Sequence, residues 1–421
     1  MNKKIKTEVA LGIIVLLAVI IGGALWLSKD KIGTVSQNKN EKTNNIAEKN
    51  IEPAEGTYNK FVYSTFKRDN FTWTTNESFG YADLRGNKTE ITKIKHHGDA
   101  TDYDVARNNG RIAYKIDGDS LTKAELWSAG IGLQQKKLAT ITDRAKGDQI
   151  AWGPIIDDDG NKIAYTITNH TTDKNEVWTI AFDGKNKKLI KTLGADGNYG
   201  CNLYDQFFTP EFFSADGKTI YIESLGQAYK LSTDATGADW ALASTKAEKC
   251  VLSLDLETGN LKKLNIPVFA DKVISISNDK SKVVVQLAKK DWFQESYNGI
   301  GVLDLTTGKF EKIFQSDNLT DFFGARFSDD DKKIAYSAKE NDSKTESLYV
   351  YDLVSKTNRE ITKSSDEVFV KFYIGNKIIY SEKPYSGILK EVNDDGSNKK
   401  DFSFMSLDKD ESVDILEHLI K

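Results

Sequence analysis

The sequence predicts an all-β protein, a seven-bladed β-propeller with six or eight blades as the alternatives, preceded by one N-terminal transmembrane helix. Three observations carry the propeller. First, a triplet of β-branched or aromatic residues, often ending in tyrosine, recurs seven times: Phe61-Val62-Tyr63, Ile112-Ala113-Tyr114, Ile163-Ala164-Tyr165, Ile220-Tyr221-Ile222, Val283-Val284-Val285, Ile334-Ala335-Tyr336 and Ile378-Ile379-Tyr380. Second, the middle residues of successive triplets lie 44 to 63 positions apart, the length of one propeller blade with its loops. Third, each triplet is followed by a strand, a turn and a basic strand, as in FGYADLRGNKTEIT and SLYVYDLVSKTNREIT, where apolar alternation is broken by turn-forming residues. With one more strand ahead of the polar turn that precedes the triplet, each repeat holds four antiparallel strands. Such a unit buries its faces only against its neighbours, so seven of them close into a ring.

Composition agrees. Among 421 residues, 39% are apolar and 10% aromatic, enough to bury a core. The 58 basic and 62 acidic residues are interspersed, giving a net charge of −4 with no basic block after the first six residues. Nucleic-acid binding therefore has no electrostatic support.

The N-terminus reads as a membrane anchor. Residues 1–8 form a short cytoplasmic segment carrying Lys3, Lys4 and Lys6, and residues 9–27 contain no charge. As a helix this run spans about 28 Å, close to the hydrocarbon thickness of a bilayer. The apolar run continues through Leu25, Trp26 and Leu27 to Lys29 without a small-x-small cleavage site, and the basic flank precedes it, so an uncleaved signal-anchor with its C-terminal side outside the cytosol is expected. Residues 28–56, rich in Asn, Lys, Glu and Ser and without an aromatic, read as a disordered tether. Residues 57–421 form the propeller domain.

Two features depart from the repeat. The first triplet lacks a strand before its turn, while residues 411–419 follow the last hairpin unpaired. This tail is expected to supply the missing strand of the first blade and close the ring; a short C-terminal helix is the alternative. The fourth repeat carries an insertion, residues 225–249, between its second and third strands, with Trp240 inside it and Cys250 just after it. Cys201 lies in the long segment entering the same blade, so Cys201 and Cys250 form either one disulfide or two unrelated thiols. In the fifth repeat Trp292, Phe293 and Tyr297 crowd an extended connection and are candidate partner contacts, with blade packing as the alternative.

The stretches FSADGKTIYI, residues 213–222, and FSDDDKKIAYSAKENDSKTESLYVYDLVSKTNREIT, residues 327–362, join a polar turn to an apolar triplet and then a hairpin. This paired signature resembles the TolB-type propeller repeats, also found in the propeller domains of prolyl oligopeptidase and dipeptidyl peptidase relatives. The resemblance covers about 340 residues. It implies the propeller fold and leaves function open, because such propellers serve as binding platforms, substrate gates and enzymes.

Chemistry-bearing motifs are sparse. There is no G-x-S-x-G pentapeptide, no phosphate loop and no dinucleotide fingerprint. His96-His97 is expected in a solvated loop between the first two blades, without a third ligand at metal spacing, and His170 and His418 stand apart. The run Asp157-Asp158-Asp159-Gly160 looks like a calcium loop, yet the oxygen-ligand spacing fails, and sister repeats hold Ala, Asn, Ser or Lys at these positions. It, Asn393-Asp394-Asp395-Gly396 and Asp117-Gly118-Asp119 are read as hairpin turns. No catalytic, cofactor-binding or metal-ligating residue is assigned. The expected function is a membrane-tethered, extracytoplasmic, bacterial propeller acting as a non-catalytic binding or scaffold module for a protein or cell-envelope component. The alternatives are a hydrolase or lyase on glycan or peptide, with Asp104, Asp205, Glu211 and Asp321 converging in the channel, and a small-ligand sensor.

Overall fold

The computed structural model describes residues 60–69, 74–83, 87–97, 102–117, 123–143, 149–169, 171–172, 174–194, 199, 204–227, 236, 250–264, 270–288, 297–315, 319–340, 343–383, 388–403 and 412–418. The expected cytoplasmic segment, spanning helix and tether lie outside them. No helix among the described residues is long and apolar enough to cross a membrane.

The described strands, β1 to β28 in chain order, form seven antiparallel sheets of four strands. Six sheets are each built from four strands consecutive in sequence and occupy residues 103–143, 149–194, 204–263, 270–315, 319–364 and 369–403, blades two to seven. Blade one is composite, with the order β28 (Ser412–His418), β1 (Lys60–Asp69), β2 (Thr74–Asp83), β3 (Lys88–His97). The C-terminal tail is thus a strand and not a helix. It pairs antiparallel with β1, from Phe61 opposite His418 to Phe66 opposite Ser412.

The triplets sit on the second strand of each blade, and the reason for their apolar continuity is burial on both faces. Tyr114, Tyr165, Tyr336 and Tyr380 are all 0–1% exposed. Two of the hydroxyls meet the edge strand: Tyr114 donates to Gln135 Oε1 at 3.1 Å, and Asn358 Nδ2 donates to the Tyr336 oxygen at 2.6 Å. Third strands alternate, as in Lys174–Ala181, because they lie nearer the rim. Fourth strands carry lysines among more exposed residues, which blunts the seven sheet edges against further pairing.

The buried apolar residues fall into seven clusters, each shared by two neighbouring blades. The cluster that joins blade seven to blade one contains Phe372, Ile374, Ile379 and Leu389 on one side and Phe61, Tyr63, Ala82 and Val413 on the other. Seven interfaces among seven blades means that the ring is closed, as the repeat count predicts.

Turns between first and second strands tie neighbouring blades together. Asp157 accepts from the backbone amides of Asn161 at 2.6 Å and Lys162 at 3.0 Å, shaping its own turn. Asp159 Oδ1 accepts from Asn108 Nδ2 of blade two at 2.6 Å. Asp158 Oδ1 pairs with Lys280 Nζ at 2.8 Å, reaching from blade three to blade five across the turn of blade four. The triple aspartate is therefore a turn in which each carboxylate has a protein partner. Gly160, at φ +66, completes it: a Cβ there would lie 2.7 Å from Arg111 Cδ of blade two, so only glycine admits both the left-handed backbone and the approach. Asp394 does more than turn its hairpin, accepting from Lys333 Nζ of blade six at 2.5 Å and from the Tyr373 hydroxyl at 2.8 Å. On the outer turns, the backbone amides of Thr258 and Ser355 hold the carboxyls of Asp255 and Asp352 below the usual carboxylate range.

His96 corrects the expectation of a solvated loop. It belongs to β3, is buried, and its Nε2 lies 3.3 Å from Glu77 Oε2, while Ser64 donates to Glu77 Oε1 at 2.9 Å. The strand continues through His97, two residues farther than the polar sequence suggests, because β2 pairs with it along its whole length. The His97 side chain and residue His170 lie outside the described residues.

By strand register, Glu77 in blade one and Glu346 in blade six occupy the same place at the third strand. Burial pushes the Glu346 carboxyl from an ordinary 4.5 up to about 7, and the Ser337 hydroxyl and Val368 amide pull it back only in part. The unfolded chain ionises this group first, so its contribution to stability is intact at pH 4 and is lost as pH rises from about 4.5 through about 7. Glu346→Gln is expected to leave stability toward urea unchanged at pH 4 and raise it by about 3 kcal/mol at pH 8. Urea unfolding at the two pH values checks this; an equal effect at both would contradict it.

Candidate functional site

In blades two to seven the turns between first and second and between third and fourth strands lie at one end of the ring, and the second-to-third connections and the links between blades lie at the other; in blade one the first and second strands are the two ends of the propeller chain. The first strands surround the axis. Six of them carry a bulge where they pair with the second strand, at Gly153-Pro154, Glu211, Ile274, Gly324, Lys371 and, in β28, Leu416. A bulge inserts a residue without a ladder partner and re-aims the side chains beyond it.

At the turn end, these strands enclose an axial cavity of about 200 Å³. Its polar lining is Arg107 from blade two, Ser275 and Asn278 from blade five, and Arg326 and Asp329 from blade six. Phe327, Phe372 and Leu416 supply apolar wall, and Leu416 comes from the closing strand β28. The lining is held from behind. Arg326 donates from Nε to the Lys371 carbonyl at 3.0 Å and from Nη1 to the Ala325 carbonyl at 2.9 Å. Asn278 Nδ2 donates to the Ser328 carbonyl at 2.9 Å, and Asp329 Oδ2 accepts from the Gly375 amide at 2.8 Å.

A polar belt runs blade to blade beside the cavity. Lys371 Nζ lies 3.2 Å from Asp414 Oδ1 in β28, and the Tyr103 hydroxyl of blade two donates to Asp414 Oδ2 at 3.2 Å. Asp104 in turn accepts from the Ile156 amide of blade three at 2.7 Å and from its own neighbour Val105 at 2.9 Å.

The four carboxylates considered for a glycosidase-like pair are described only in part. Asp104 is engaged with backbone amides, Glu211 sits at the bulge of blade four, and the side chains of Asp205 and Asp321 are outside the description. The cavity is instead lined by guanidinium groups that sequence reasoning did not single out. Arg107 and Arg326 each stand where sister repeats hold other residue types: Asp158, Ala215, Asn278 and Asp329 align with the first, and Asp104, Ile155, Phe212, Ser275 and Phe372 with the second. Departure from the repeat at an axial position is the signal that could have found them.

Of the other candidate residues, Cys201, Trp240, Trp292 and Phe293 lie outside the described residues, and of Cys250 only the backbone is described, as the first residue of β14 (Cys250–Asp255). The insertion does join the second and third strands of blade four, β13 (Thr219–Gln227) and β14. Tyr297 is not in the connection: it opens β18 (Tyr297–Asp304), its backbone paired with Ala288.

No protein-family model and no curated protein sequence matches the chain. Solved structures do. The β-propeller domain of the Trilobed protease from Pyrococcus furiosus is 12% identical with a TM-score of 0.50, over 83% of this chain and 95% of that one. Oligogalacturonate lyase from Vibrio parahaemolyticus is 12% identical with a TM-score of 0.50, over 82% and 86% of the two chains. TolB from Acinetobacter baumannii is 15% identical with a TM-score of 0.40, over 81% and 79%. What the chain shares with them is the propeller fold.

Proposed function

We propose, from the premise that the chain is a TolB-type β-propeller in fold, that it is a non-catalytic binding module, held at a bacterial membrane by residues 9–27 and presented outside the cytosol to a protein or cell-envelope polymer. The observation that carries this is the asymmetry of the ring ends. The two longest connections inside a blade, residues 228–249 in blade four and 289–296 in blade five, both join second to third strands and so belong to the same end. They hold Trp240, Trp292 and Phe293. Large aromatics on loops set in a rigid ring are suited to anchoring a partner. The turn end, by contrast, is spanned by short connections tied to one another.

The test is affinity capture from solubilised cell envelopes with residues 54–421, which form one compact unit. Replacing residues 228–249 by a short Gly-Ser linker, or Trp292 and Phe293 by alanine, is expected to lose the captured component while the melting temperature holds. Capture unchanged by both alterations would sink the assignment of the binding end.

A further inference from the structure

Charge is shared unevenly among the blades. The third-to-fourth-strand hairpins of blades two and three, residues 123–143 and 174–194, hold eight lysines against four carboxylates, Glu125, Asp143, Glu176 and Asp183. The same hairpins of the other five blades are balanced to within one charge, in a chain whose net charge is −4. Pairing does not remove the excess. Lys137 meets Glu125 and Lys185 meets Asp183, two carboxylates already counted, while Lys136 donates to the Asp183 carbonyl at 2.5 Å and Lys191 to the Gly259 carbonyl at 2.7 Å, both neutral. Lys187 lies over the Trp178 ring at 4.8 Å. Aliphatic exposure gathers in the same place. Of the five large apolar side chains that stand exposed among the described residues, Ile131, Leu133 and Leu189 belong to these two hairpins, at 39%, 43% and 40%. The hairpins are locked together: Ser128 Oγ donates to the Phe182 carbonyl at 3.1 Å, and the Arg111 guanidinium of blade two lies 4.7 Å over the Phe182 ring of blade three. The surface they share is therefore in place before anything binds.

From this concurrence of excess lysine with exposed aliphatic side chains we propose that the turn-end rim of blades two and three docks on an anionic lipid bilayer. Lysines near such a surface are drawn to its headgroups, and aliphatic side chains beside them reach the acyl boundary. An exposed apolar patch rimmed by charge suits that contact. A soluble polyanion would satisfy the lysines and leave Ile131, Leu133 and Leu189 in water, which is why the bilayer is the better match. The inference rests on the two hairpins alone and needs neither the anchor of residues 9–27 nor a partner at the loop end.

Co-sedimentation of the compact unit, residues 54–421, with lipid vesicles tests this. Binding to vesicles of equal parts phosphatidylglycerol and phosphatidylcholine is expected to be at least tenfold tighter than to phosphatidylcholine alone. Each lysine near an anionic surface is worth about fivefold, so Lys185→Gln with Lys188→Gln should weaken binding at least tenfold. Lys309→Gln with Lys312→Gln removes the same charge from equally exposed positions in blade five and should change binding less than threefold. Ile131→Ser with Leu133→Ser, checked for an unchanged melting temperature, should weaken it at least threefold. No binding to the anionic vesicles, equal binding to the two kinds, or equal losses from the two lysine pairs would each overturn the proposal. Dependence on the lysines without dependence on the aliphatic pair would overturn it in favour of a soluble polyanion. The two wild-type titrations decide it even where a variant fails to fold.

Discussion

Removal of residues 410–421 lowers the melting temperature by on the order of 10 °C in the expected result, the largest effect of any short deletion at the ends of the propeller. The deletion takes out β28, and with it three kinds of contact. The ladder to β1 disappears, so the inner edge of blade one is left unpaired. Val413, 1% exposed, leaves the cluster that joins blades seven and one, opening a cavity beside Phe61 and Phe372. Asp414 leaves Lys371 and Tyr103 without the carboxylate that bridges blades seven, one and two. A repeat array gains stability from neighbour contacts, so opening one interface turns a closed ring into a chain with two exposed ends. Differential scanning calorimetry of the truncated and complete chains reads the effect. A shift within a degree would mean that the ring holds without this strand. A tail of the same length and scrambled order should behave like the deletion, which separates strand pairing from chain length.

Asp158→Ala should be the most destabilising change within the triple aspartate, at about 2–4 kcal/mol, whereas Asp159→Ala should cost less than about 1 kcal/mol. The difference follows from burial. Asp159 serves an exposed Asn108 amide, which water can satisfy instead. Asp158 faces the Lys280 ammonium, whose side chain is only 4% exposed, so removing the carboxylate strands a buried charge. The position of Lys280 makes the test sharper. It adopts φ +54, a left-handed backbone that a glycine tolerates without cost. Lys280→Gly should therefore be milder than Asp158→Ala, and the double variant should recover much of the loss. Equilibrium urea unfolding of the four chains reads this cycle. Additive losses in the double variant, or equal losses for Asp158→Ala and Asp159→Ala, would show that the pair across blade four contributes little.

These expectations show how unevenly the molecule was legible. The blades were plain because a strand buried on both faces must be apolar throughout, and that constraint recurs with every repeat; Ile334-Ala335-Tyr336 and Ile163-Ala164-Tyr165 announce the same place in the same unit. The closing strand was legible by subtraction, since one repeat lacked a strand and one tail lacked a partner. His96 was misplaced because its polarity suggested a loop, and the acid that shelters it, Glu77, comes from a neighbouring strand and 19 residues away. The axial arginines escaped for the same reason on a larger scale: Arg107 and Arg326 are 219 residues apart, and no local pattern relates them.

The amino-acid sequence by itself determined the repeated four-stranded unit and the reading of the aspartate runs as turns, and it pointed to seven blades closed by the C-terminal tail, because each rests on local periodicity or on a feature repeated at fixed spacing; strand pairing then decided against six or eight blades and against a C-terminal helix. Only the tertiary structure decided which side chains meet on the axis and which aspartate of the triple reaches Lys280 in blade five. Closing the ring brings together one residue from each of several blades, and that selection depends on bulges and on the direction in which each first strand presents its side chains, quantities set by packing between repeats and not by the order of residues within one.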